Sequence, residues 1–402
     1  MKNSQTEETM SIVYVGECFH GDNADFKPRE TPNMLSEIGN SQPQHDHPSE
    51  FDEPLSPTQS SFSSDSKRQR LSSAGTNITM PPDDCALKIS GTEPEDKWSS
   101  FRSKVVELPY DYVSSLPTKG IRDKFLDALN IWLESPEDHV ALIKDVINVL
   151  HNSSLIIDDF QDDSPLRRGR PSTHTIFGAA QSINSATHGI IKAISMVQSF
   201  SDAECAAKTT EMILVLFQGQ ATDLHWTFNS ICPSLEEYIQ MINDKTGALF
   251  RLACFLLAES SGVALSEELT ESISKMVTLW GQYFQIRDDY MNLVDADYTD
   301  QKGFCEDLDE GKYSLPLIHA IQTDTEGFLL ANLLSTRRAQ GKLTPQQKML
   351  VLDRIKASGG FEVTRSILSD LHVQVMTEIE GLECGFNKQN GQIRALAERL
   401  RL

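Results

Sequence analysis

The sequence predicts an all-α fold, a single large helical bundle around a deep central cavity, preceded by a disordered acidic tail. Two features of the chain after Phe101 predict the bundle: apolar residues recur at helix spacing, and strand-like alternation between hairpin turns is absent. A third feature, the composition of the first hundred residues, predicts the tail.

The tail covers residues 1–100, which hold 9 of the 17 prolines and 16 serines. Its 8 basic and 17 acidic residues give a net charge of −9 (8 − 17). A segment of this composition buries too little apolar surface to offset the entropy that ordering costs, so we expect it to be disordered. Residues 101–402 are then expected to form the folded domain.

Four segments of that domain carry the helical pattern. Ser135-Pro136, placed before two acidic residues, is typical of a helix cap and first turn, and apolar residues continue at helix spacing to Leu150. Three further helices are predicted at Met212–Trp226, Leu235–Leu257 and Ile273–Val294. Because no repeat of solenoid period is present, we expect one domain whose helices surround a pocket.

Charge and cysteine content exclude several classes of protein. The net charge of −22, from 58 acidic and 36 basic residues, argues against nucleic-acid binding through a basic surface. Seven scattered cysteines without a CxxC motif argue against a disulfide framework or a zinc site and favour a reducing compartment. The polar N-terminus does not resemble a signal peptide, and no unbroken apolar run reaches about 18 residues. We therefore expect a cytoplasmic protein without a transmembrane segment.

The first candidate site is an aspartate motif, Asp158, Asp159 and Asp162, that ends an apolar run. Residues at i and i+4 are neighbours on a helix surface, so Asp158 and Asp162 share one face. Like charges at this spacing destabilise a helix unless a cation lies between them. Carboxylate oxygens are hard ligands that suit Mg²⁺.

A second motif, Asp288, Asp289 and Asn292, repeats this arrangement 130 residues later (288 − 158). One such motif is usually a solvated acidic face. Two, each at the end of an apolar helical segment, predict several Mg²⁺ ions that together bind a diphosphate. Mg²⁺ typically takes only one or two protein carboxylates and completes its shell with water and phosphate oxygens.

Basic residues accompany both motifs. Arg167 and Arg168 follow the first motif, and Lys302 and Lys312 follow the second. Arginine offers a planar fork for phosphate and lysine a point charge. Their position beside the aspartates predicts contacts with a phosphorylated substrate.

These motifs resemble those of the trans-prenyl diphosphate synthases, and within them the eukaryotic, fungal-like geranylgeranyl diphosphate synthases. The resemblance runs from about Pro109 to Ile321. Its most specific stretches are HNSSLIIDDFQDDSPLRRGRPSTH (from His151), NDKTGALFRLA (from Asn243), GQYFQIRDDYMNL (from Gly281) and KGFCEDLDEGKYSLPLIHAI (from Lys302). It implies the isoprenoid synthase fold and a homodimer or higher homo-oligomer.

The resemblance also implies roles for individual residues. Asp158, Asp162 and Asp288 would be Mg²⁺ ligands, supported by Asp159 and Asn292. The implied catalytic group is Asp158, Asp159, Asp162, Asp288, Lys245 and Gln285. The isopentenyl diphosphate pocket would contain Lys119, Arg122, His151 and Arg168. The allylic diphosphate pocket would contain Arg167, Lys245, Thr246, Gln285, Asn292, Lys302 and Lys312.

The implied reaction joins isopentenyl diphosphate head to tail with dimethylallyl, geranyl or farnesyl diphosphate. Mg²⁺ and the basic residues would stabilise the negative charge on the leaving diphosphate while the double bond of isopentenyl diphosphate attacks the allylic cation. No side-chain nucleophile is needed, and water must be excluded because it would capture the cation.

Product length should depend on the apolar wall below the first motif. Ser153 and Ser154 lie one turn beneath Asp158, and two small residues there permit a twenty-carbon product, geranylgeranyl diphosphate. Ile190, Ile191 and Phe217 occupy positions that help to form the cavity floor in the family. Smaller residues at the first two positions deepen such a floor, whereas a phenylalanine refills it, so a product of another length stays open.

Three alternatives remain. A class I terpene cyclase shares the first motif, but the second metal motif of such enzymes has no good match here: Asn243-Asp244-Lys245-Thr246 has Arg251 where a glutamate would fall. A non-catalytic partner subunit predicts the loss of one aspartate motif or of the basic set. A plain acidic helical scaffold predicts no Mg²⁺-dependent diphosphate binding.

Overall fold

Helices make up nearly all the regular structure of the described residues. The computed structural model describes residues 95–295, 303–324 and 328–402. The first nine helices are α1 (Glu95–Ser115), α2 (Ile121–Leu133), α3 (Glu137–Gln161), α4 (Thr173–Phe177), α5 (Ala179–Phe200), α6 (Ala203–Asn229), α7 (Leu235–Ile242), α8 (Ala248–Glu259) and α9 (Glu267–Val294). They are followed by α10 (Glu306–Glu310), α11 (Leu315–Thr323), α12 (Leu329–Gln340), α13 (Pro345–Ala357), α14 (Gly360–Gly385) and α15 (Gly391–Leu400).

The predicted all-α fold is confirmed. Within the described ranges, the regular β-structure is limited to β1 (Leu166–Arg167) and β2 (Arg170–Pro171), which pair antiparallel with Arg167 opposite Arg170. This two-residue ladder follows the first aspartate motif and fixes the course of the chain as it leaves α3.

The predicted disordered tail, residues 1–100, lies outside the described residues up to residue 94. The first described helix, α1, begins at Glu95, before the predicted domain boundary at residue 101. The disorder of the tail therefore stays a prediction.

Helix α3 starts where the sequence predicts but without the predicted side-chain cap. Pro136 is its N-cap residue and makes no capping hydrogen bond. The hydroxyl of Ser135 instead pairs with that of Ser260, 2.5 Å away, and so ties the start of α3 to the end of α8. Glu137 and Asp138 occupy the first turn, where negative charge favours the positive end of the helix dipole.

An aromatic cluster joins α2, α8 and α9 at the centre of the bundle. The ring of Phe125 lies 4.8 Å from that of Trp280 and 5.2 Å from that of Phe250, measured between centroids. Phe125 and Trp280 are fully buried. Aromatic side chains bury about 150–250 Å² each, so this cluster contributes strongly to the stability of the core beneath the cavity.

The helix predicted over Leu235–Leu257 is interrupted by a π-helical turn, Asn243–Gly247, between α7 and α8. Glycines on two neighbouring helices allow these helices to approach the backbone of this turn closely. A side chain at Gly219 of α6 would collide with the backbone at Lys245, and one at Gly281 of α9 would lie 2.9 Å from the Cα of Gly247. The turn is thus held between α6 and α9, which fixes where its side chains point.

Among the described helices, α3 alone is long and apolar enough, on average, to span a membrane. Half of that apolar stretch is buried inside the protein. Lys144 and Asp145 interrupt it, which is why the sequence contains no unbroken apolar run. A core helix of a bundle meets the same criterion, so its composition is explained by its packing against α5 and α8.

We predict that Gly219→Ala destabilises the protein by about 1–3 kcal/mol, because the added methyl overpacks α6 against the π-helical turn. Gly381→Ala is the matched control, since Gly381 also lies inside a helix but has nothing within 4 Å of an added methyl. That variant should gain about 0.5–1 kcal/mol, because alanine favours helix interiors over glycine. Urea unfolding measures both free energies, and equal stabilities of the two variants would contradict the close approach.

Candidate active site

The candidate site is a cavity of about 750 Å³ enclosed mainly by α2, α3, α6, α9 and the π-helical turn. This volume lies within the range of small-molecule pockets, about 300–1,000 Å³. A charged part of its lining is formed by Asp158, Arg167, Lys245 and Asp223, whose charged atoms lie within 3.8 Å of one another in pairs. Apolar side chains also line the cavity, among them Leu155, Ile157, Leu216, Phe217 and Phe284. A ligand with an anionic head and an apolar tail matches such a division.

Asp158, in the last turn of α3, lies in the cavity wall among polar and basic groups. Its Oδ1 accepts a hydrogen bond from the Gln220 amide at 3.1 Å and lies 3.5 Å from Nζ of Lys245. Its Oδ2 lies 3.8 Å from Nη2 of Arg167. The carboxylate therefore already has cationic partners within the protein.

The other two aspartates of the first motif do not line the cavity directly. Asp159 is fully buried and accepts hydrogen bonds from Nε and Nη2 of Arg167, the first at 2.8 Å. Asp162 caps the end of α3, and its carboxylate lies 2.9 Å from Nζ of Lys312. Burial raises the pKa of Asp162 to about 7, although Lys312 opposes this shift. Asp159 and Asp162 thus hold the basic residues that border the site.

The second motif is also divided, but two of its three residues line the cavity. Asp288 and Asp289 line the cavity, whereas Asn292 is buried below it and accepts a hydrogen bond from the Asp307 backbone N–H at 3.3 Å. The described structure does not place Asn292 in the cavity lining, and its contact with the allylic diphosphate stays a prediction. The side chain faces α10, so Asn292 fixes that helix rather than reaching the cavity.

A chain of hydrogen bonds connects the π-helical turn to α9. The Thr246 hydroxyl donates to the amide oxygen of Gln285 at 2.6 Å, and the amide nitrogen of Gln285 donates to Asp289 at 2.7 Å. The Tyr238 hydroxyl donates to the second oxygen of Asp289 at 2.6 Å. Burial raises the pKa of Asp289 to about 6, against the effect of these two donors. The chain fixes Thr246 and Gln285 at the cavity wall.

Three of the predicted basic residues reach the charged part of the cavity from different elements. Lys245 comes from the π-helical turn, Arg167 from β1 and Lys312 from the segment after α10. Nζ of Lys245 lies 2.6 Å from Asp223, and this pair, together with Asp158, holds the pKa of Lys245 above its usual value. Lys302, the fourth predicted residue, lies outside the described residues.

The predicted isopentenyl diphosphate residues Lys119, Arg122, His151 and Arg168 also lie together in the cavity wall. Nη1 of Arg122 donates to Nε2 of His151 at 2.9 Å. Burial and the nearby arginines hold the pKa of His151 well below its usual value, so the imidazole is neutral and accepts this bond. His151 therefore orients the Arg122 guanidinium and adds no positive charge of its own.

The predicted metal ligands do not form a closed protein cage. Within the described ranges, no group of three or more His, Cys, Asp or Glu side chains is arranged to hold a metal ion. Asp158 and Asp288 border the cavity from α3 and α9, and Asp162 stays paired with Lys312. This donor set fits Mg²⁺, which binds through one or two carboxylates and completes its shell with water and substrate phosphate oxygens.

Among the predicted chain-length residues, only Ser154 and Phe217 line the cavity. Ser153 is fully buried against α5, where a side chain at Gly189 would collide with its hydroxyl. Ile190 packs on the core. Ile191 is exposed, with 62% of its surface accessible. The described structure does not place Ser153, Ile190 and Ile191 in the lining of this cavity. Their effect on product length stays a prediction.

Several cavity residues were not singled out as site residues from the sequence, among them Gln220, Asp223, Tyr238, Asp307 and Arg399. Gln220 and Asp223 are polar residues three apart on α6, which places them on one face of the helix. That spacing is a usable signal, as is the acidic run that contains Asp307. Tyr238 and Arg399 carry no local signal, since only the packing of α7 and α15 brings them to the cavity.

Comparison with known proteins gives consistent matches. A sequence model of the family described as polyprenyl synthetase matches residues 103–348. Geranylgeranyl pyrophosphate synthase 2 of Gibberella fujikuroi is 58% identical over 318 residues, which cover 79% of this chain and 81% of that protein. Fusicoccadiene synthase of Phomopsis amygdali is 52% identical over 303 residues, and a bifunctional sesterterpene synthase of Aspergillus aculeatus is 43% identical over 303 residues. The matched region covers 75% of this chain but only 42% of each of these two proteins.

We predict that His151 makes the protein less stable as the pH falls below about 6.5, the pKa of an unperturbed histidine. Because its pKa is lowered in the folded state, the unfolded state binds a proton that the folded state lacks. His151→Gln should therefore lose less stability between pH 7.5 and 5.5 than the unsubstituted protein, by up to about 1.4 kcal/mol per pH unit. His188→Gln, at an exposed position on α5, controls for the loss of a histidine. Urea unfolding at both pH values measures this difference, and an unchanged pH slope in His151→Gln would contradict the neutral imidazole.

Proposed function

The chain belongs to the polyprenyl synthetase family, and from this premise we propose that it joins isopentenyl diphosphate head to tail with allylic diphosphates. The proposed main product is the twenty-carbon geranylgeranyl diphosphate. The relative of 58% identity, named geranylgeranyl pyrophosphate synthase 2, supports this product.

One observation carries the proposal: a single cavity collects aspartates of both motifs (Asp158, Asp288 and Asp289), two groups of basic residues and apolar side chains. Lys119, Arg122 and Arg168 form one basic group, and Lys245 and Lys312 belong to the other. Two diphosphates have to be held side by side for condensation, and two separate basic groups meet this need. The apolar wall offers a place for the growing chain.

The basic group around Lys245 and Lys312 would bind the allylic diphosphate. Both ammonium groups already lie within 2.9 Å of a carboxylate, so they are held in place before substrate enters. Such preorganised charges stabilise developing negative charge without having to reorient during the reaction. Asp158 and Asp288 would hold Mg²⁺, which would further stabilise the negative charge of the leaving diphosphate.

The reaction then needs no side-chain nucleophile. The allylic C–O bond breaks, and its electron pair leaves with the diphosphate. The double bond of isopentenyl diphosphate, held by Arg122 and its neighbours, supplies the electrons of the new C–C bond. Loss of a proton from the former isopentenyl unit, to the released diphosphate, restores a double bond. The apolar wall, including Leu155 and Phe284, would keep water from the cation.

A homodimer is proposed with the enzyme. Ile183 and Ile191 on α5, with Leu214 and Phe217 on α6, are exposed apolar residues of the described chain. Apolar surface of this kind often marks contacts between proteins. Pairing of two copies through α5 and α6 would cover it.

A terpene cyclase is the second candidate, because two of the relatives are named fusicoccadiene synthase and bifunctional sesterterpene synthase. The chain spans less than half of each of these proteins. A cyclase would convert a linear diphosphate to a cyclic hydrocarbon without using isopentenyl diphosphate. The consumption of isopentenyl diphosphate therefore distinguishes the two activities.

We predict that the purified protein, given isopentenyl diphosphate, Mg²⁺ and each allylic diphosphate in turn, forms mainly a twenty-carbon product. Mass spectrometry after dephosphorylation reads the chain length, and EDTA should abolish the reaction. Asp158→Asn should lower turnover by about 100-fold or more, as expected for loss of a major electrostatic contribution. Asp145→Asn, at an exposed position on the same helix, should keep full activity. A cyclic hydrocarbon, or no consumption of isopentenyl diphosphate, would overturn the proposal.

We predict that Ser154→Phe shortens the main product from twenty to fifteen carbons, because a bulky ring at this position fills the cavity wall. Ser153→Ala is the matched control, since Ser153 faces α5 and not the cavity. The same chain-length assay measures both variants. A twenty-carbon product from Ser154→Phe would place the growing chain along another wall.

A further inference from the structure

Helix α10 carries an unusual density of buried charge. Its five residues are Glu306, Asp307, Leu308, Asp309 and Glu310, and all of them are buried. Burying a carboxylate is costly unless a charged or hydrogen-bonding partner compensates for the lost water. The position of α10 therefore depends on the groups packed around it.

Much of that compensation comes from α12, α13 and the segment between them. Nζ of Lys348, itself buried, lies 2.6 Å from Asp309 and also donates to the backbone carbonyl of Phe304. The backbone N–H of Leu343 donates to the other oxygen of Asp309 at 3.0 Å. Lys342 lies 3.4 Å from Glu306. These contacts fix the start and middle of α10.

The end of α10 is held by Arg337, in the last turn of α12. Its Nη1 donates to the backbone carbonyl of Glu310 at 2.6 Å, which satisfies a carbonyl that has no partner within the short helix. The next residue is Gly311, with φ of 77°, in the left-handed region that favours glycine. A side chain at Gly311 would collide with the Arg337 guanidinium, so glycine is required here for space as well as for conformation.

Lys312 follows directly and reaches the charged part of the cavity. Its Nζ lies 2.9 Å from Asp162 and 2.5 Å from the Oε2 of Glu310. The Oε1 of Glu310 accepts a hydrogen bond from the Ser164 hydroxyl at 2.6 Å. The end of α10 is thereby tied to the loop after the first aspartate motif, with Lys312 between the two.

We propose that Arg337 is a positioning residue for Lys312. It lies on the backbone of Gly311, caps Glu310 and so fixes the direction in which the Lys312 side chain enters the diphosphate site. This role rests on the proposed function, because it matters to catalysis only if Lys312 holds the allylic diphosphate. A merely structural role would lower stability and affect both substrates equally.

Arg337→Gln tests the role, with Arg338→Gln as the matched control. Arg338 is the neighbouring residue on α12, and its guanidinium stacks on the exposed ring of Phe228, 4.5 Å from the ring centroid. Steady-state kinetics measures KM for the allylic diphosphate and for isopentenyl diphosphate separately. Thermal unfolding measures the stability of each variant and shows whether it is folded.

For Arg337→Gln we expect KM for the allylic diphosphate to rise by about 10- to 100-fold, because a misplacement of about 1 Å can cost about 100-fold. KM for isopentenyl diphosphate should change by less than about 3-fold, since that substrate is bound by the other basic group. Arg337→Lys, which keeps a cation, should recover part of the loss. Equal effects on both KM values, or kinetics identical to those of Arg338→Gln, would overturn the positioning role.

Failure of the proposed function would look different. If the unsubstituted protein consumed no isopentenyl diphosphate, the proposed reaction would be wrong, whereas the position of Lys312 could still be measured. Calorimetric titration with inorganic pyrophosphate and Mg²⁺ serves this purpose. Weaker pyrophosphate binding by Arg337→Gln than by Arg338→Gln would support the positioning role, and equal binding would contradict it.

Discussion

Charge pairing inside the cavity determines how the surrounding elements are held together. Three basic residues reach the cavity from different elements, and each is matched by a carboxylate from another: Lys245 by Asp223, Arg167 by Asp159 and Lys312 by Asp162. An isolated charge buried in such a place would cost several kcal/mol, so the pairs constrain the elements to meet there. Because the carboxylates and the cations neutralise one another, an anionic ligand and a metal cation should each be bound more readily with the other present.

Close contacts between helix backbones and the π-helical turn support this arrangement of charges. The π-helical turn presents Lys245 and Thr246 because Gly219 and Gly281 let α6 and α9 approach its backbone. Below it, the Phe125 cluster provides a rigid apolar base. The buried acids of α10 are compensated by Arg337 of α12, Lys348 of α13 and the segment between these helices, and Asp307 of α10 lines the cavity. Catalytic groups held in this way need little reorganisation when substrate binds.

Much of this was predictable from the sequence, and the remainder shows which information a sequence lacks. The helical period and the i, i+4 spacing of Asp158 and Asp162 predicted a bundle with acidic helix ends, and the all-α fold is confirmed. Neighbouring residues point about 100° apart on a helix of 3.6 residues per turn, so Ser153 and Ser154 face different directions. The sequence does not show which of the two faces the cavity. Only tertiary packing decides which of them faces the cavity. The exposure of Ile191 and the arrival of Tyr238 from α7 likewise depend on how helices pack, not on local pattern.

The most direct test of the charge-pairing account is a calorimetric titration of the protein with Mg²⁺ alone, with inorganic pyrophosphate alone and with both. In the ligand-free protein the basic residues and the aspartates of the cavity neutralise one another. Pyrophosphate alone must therefore compete with the aspartates for the basic residues, and Mg²⁺ alone must compete with the basic residues for the aspartates. When both bind together, the aspartates gain Mg²⁺ and the basic residues gain pyrophosphate. We expect pyrophosphate to bind at least about 10-fold more tightly with Mg²⁺ present, a coupling of about 1.4 kcal/mol. Pyrophosphate binding of equal strength with and without Mg²⁺ would contradict it.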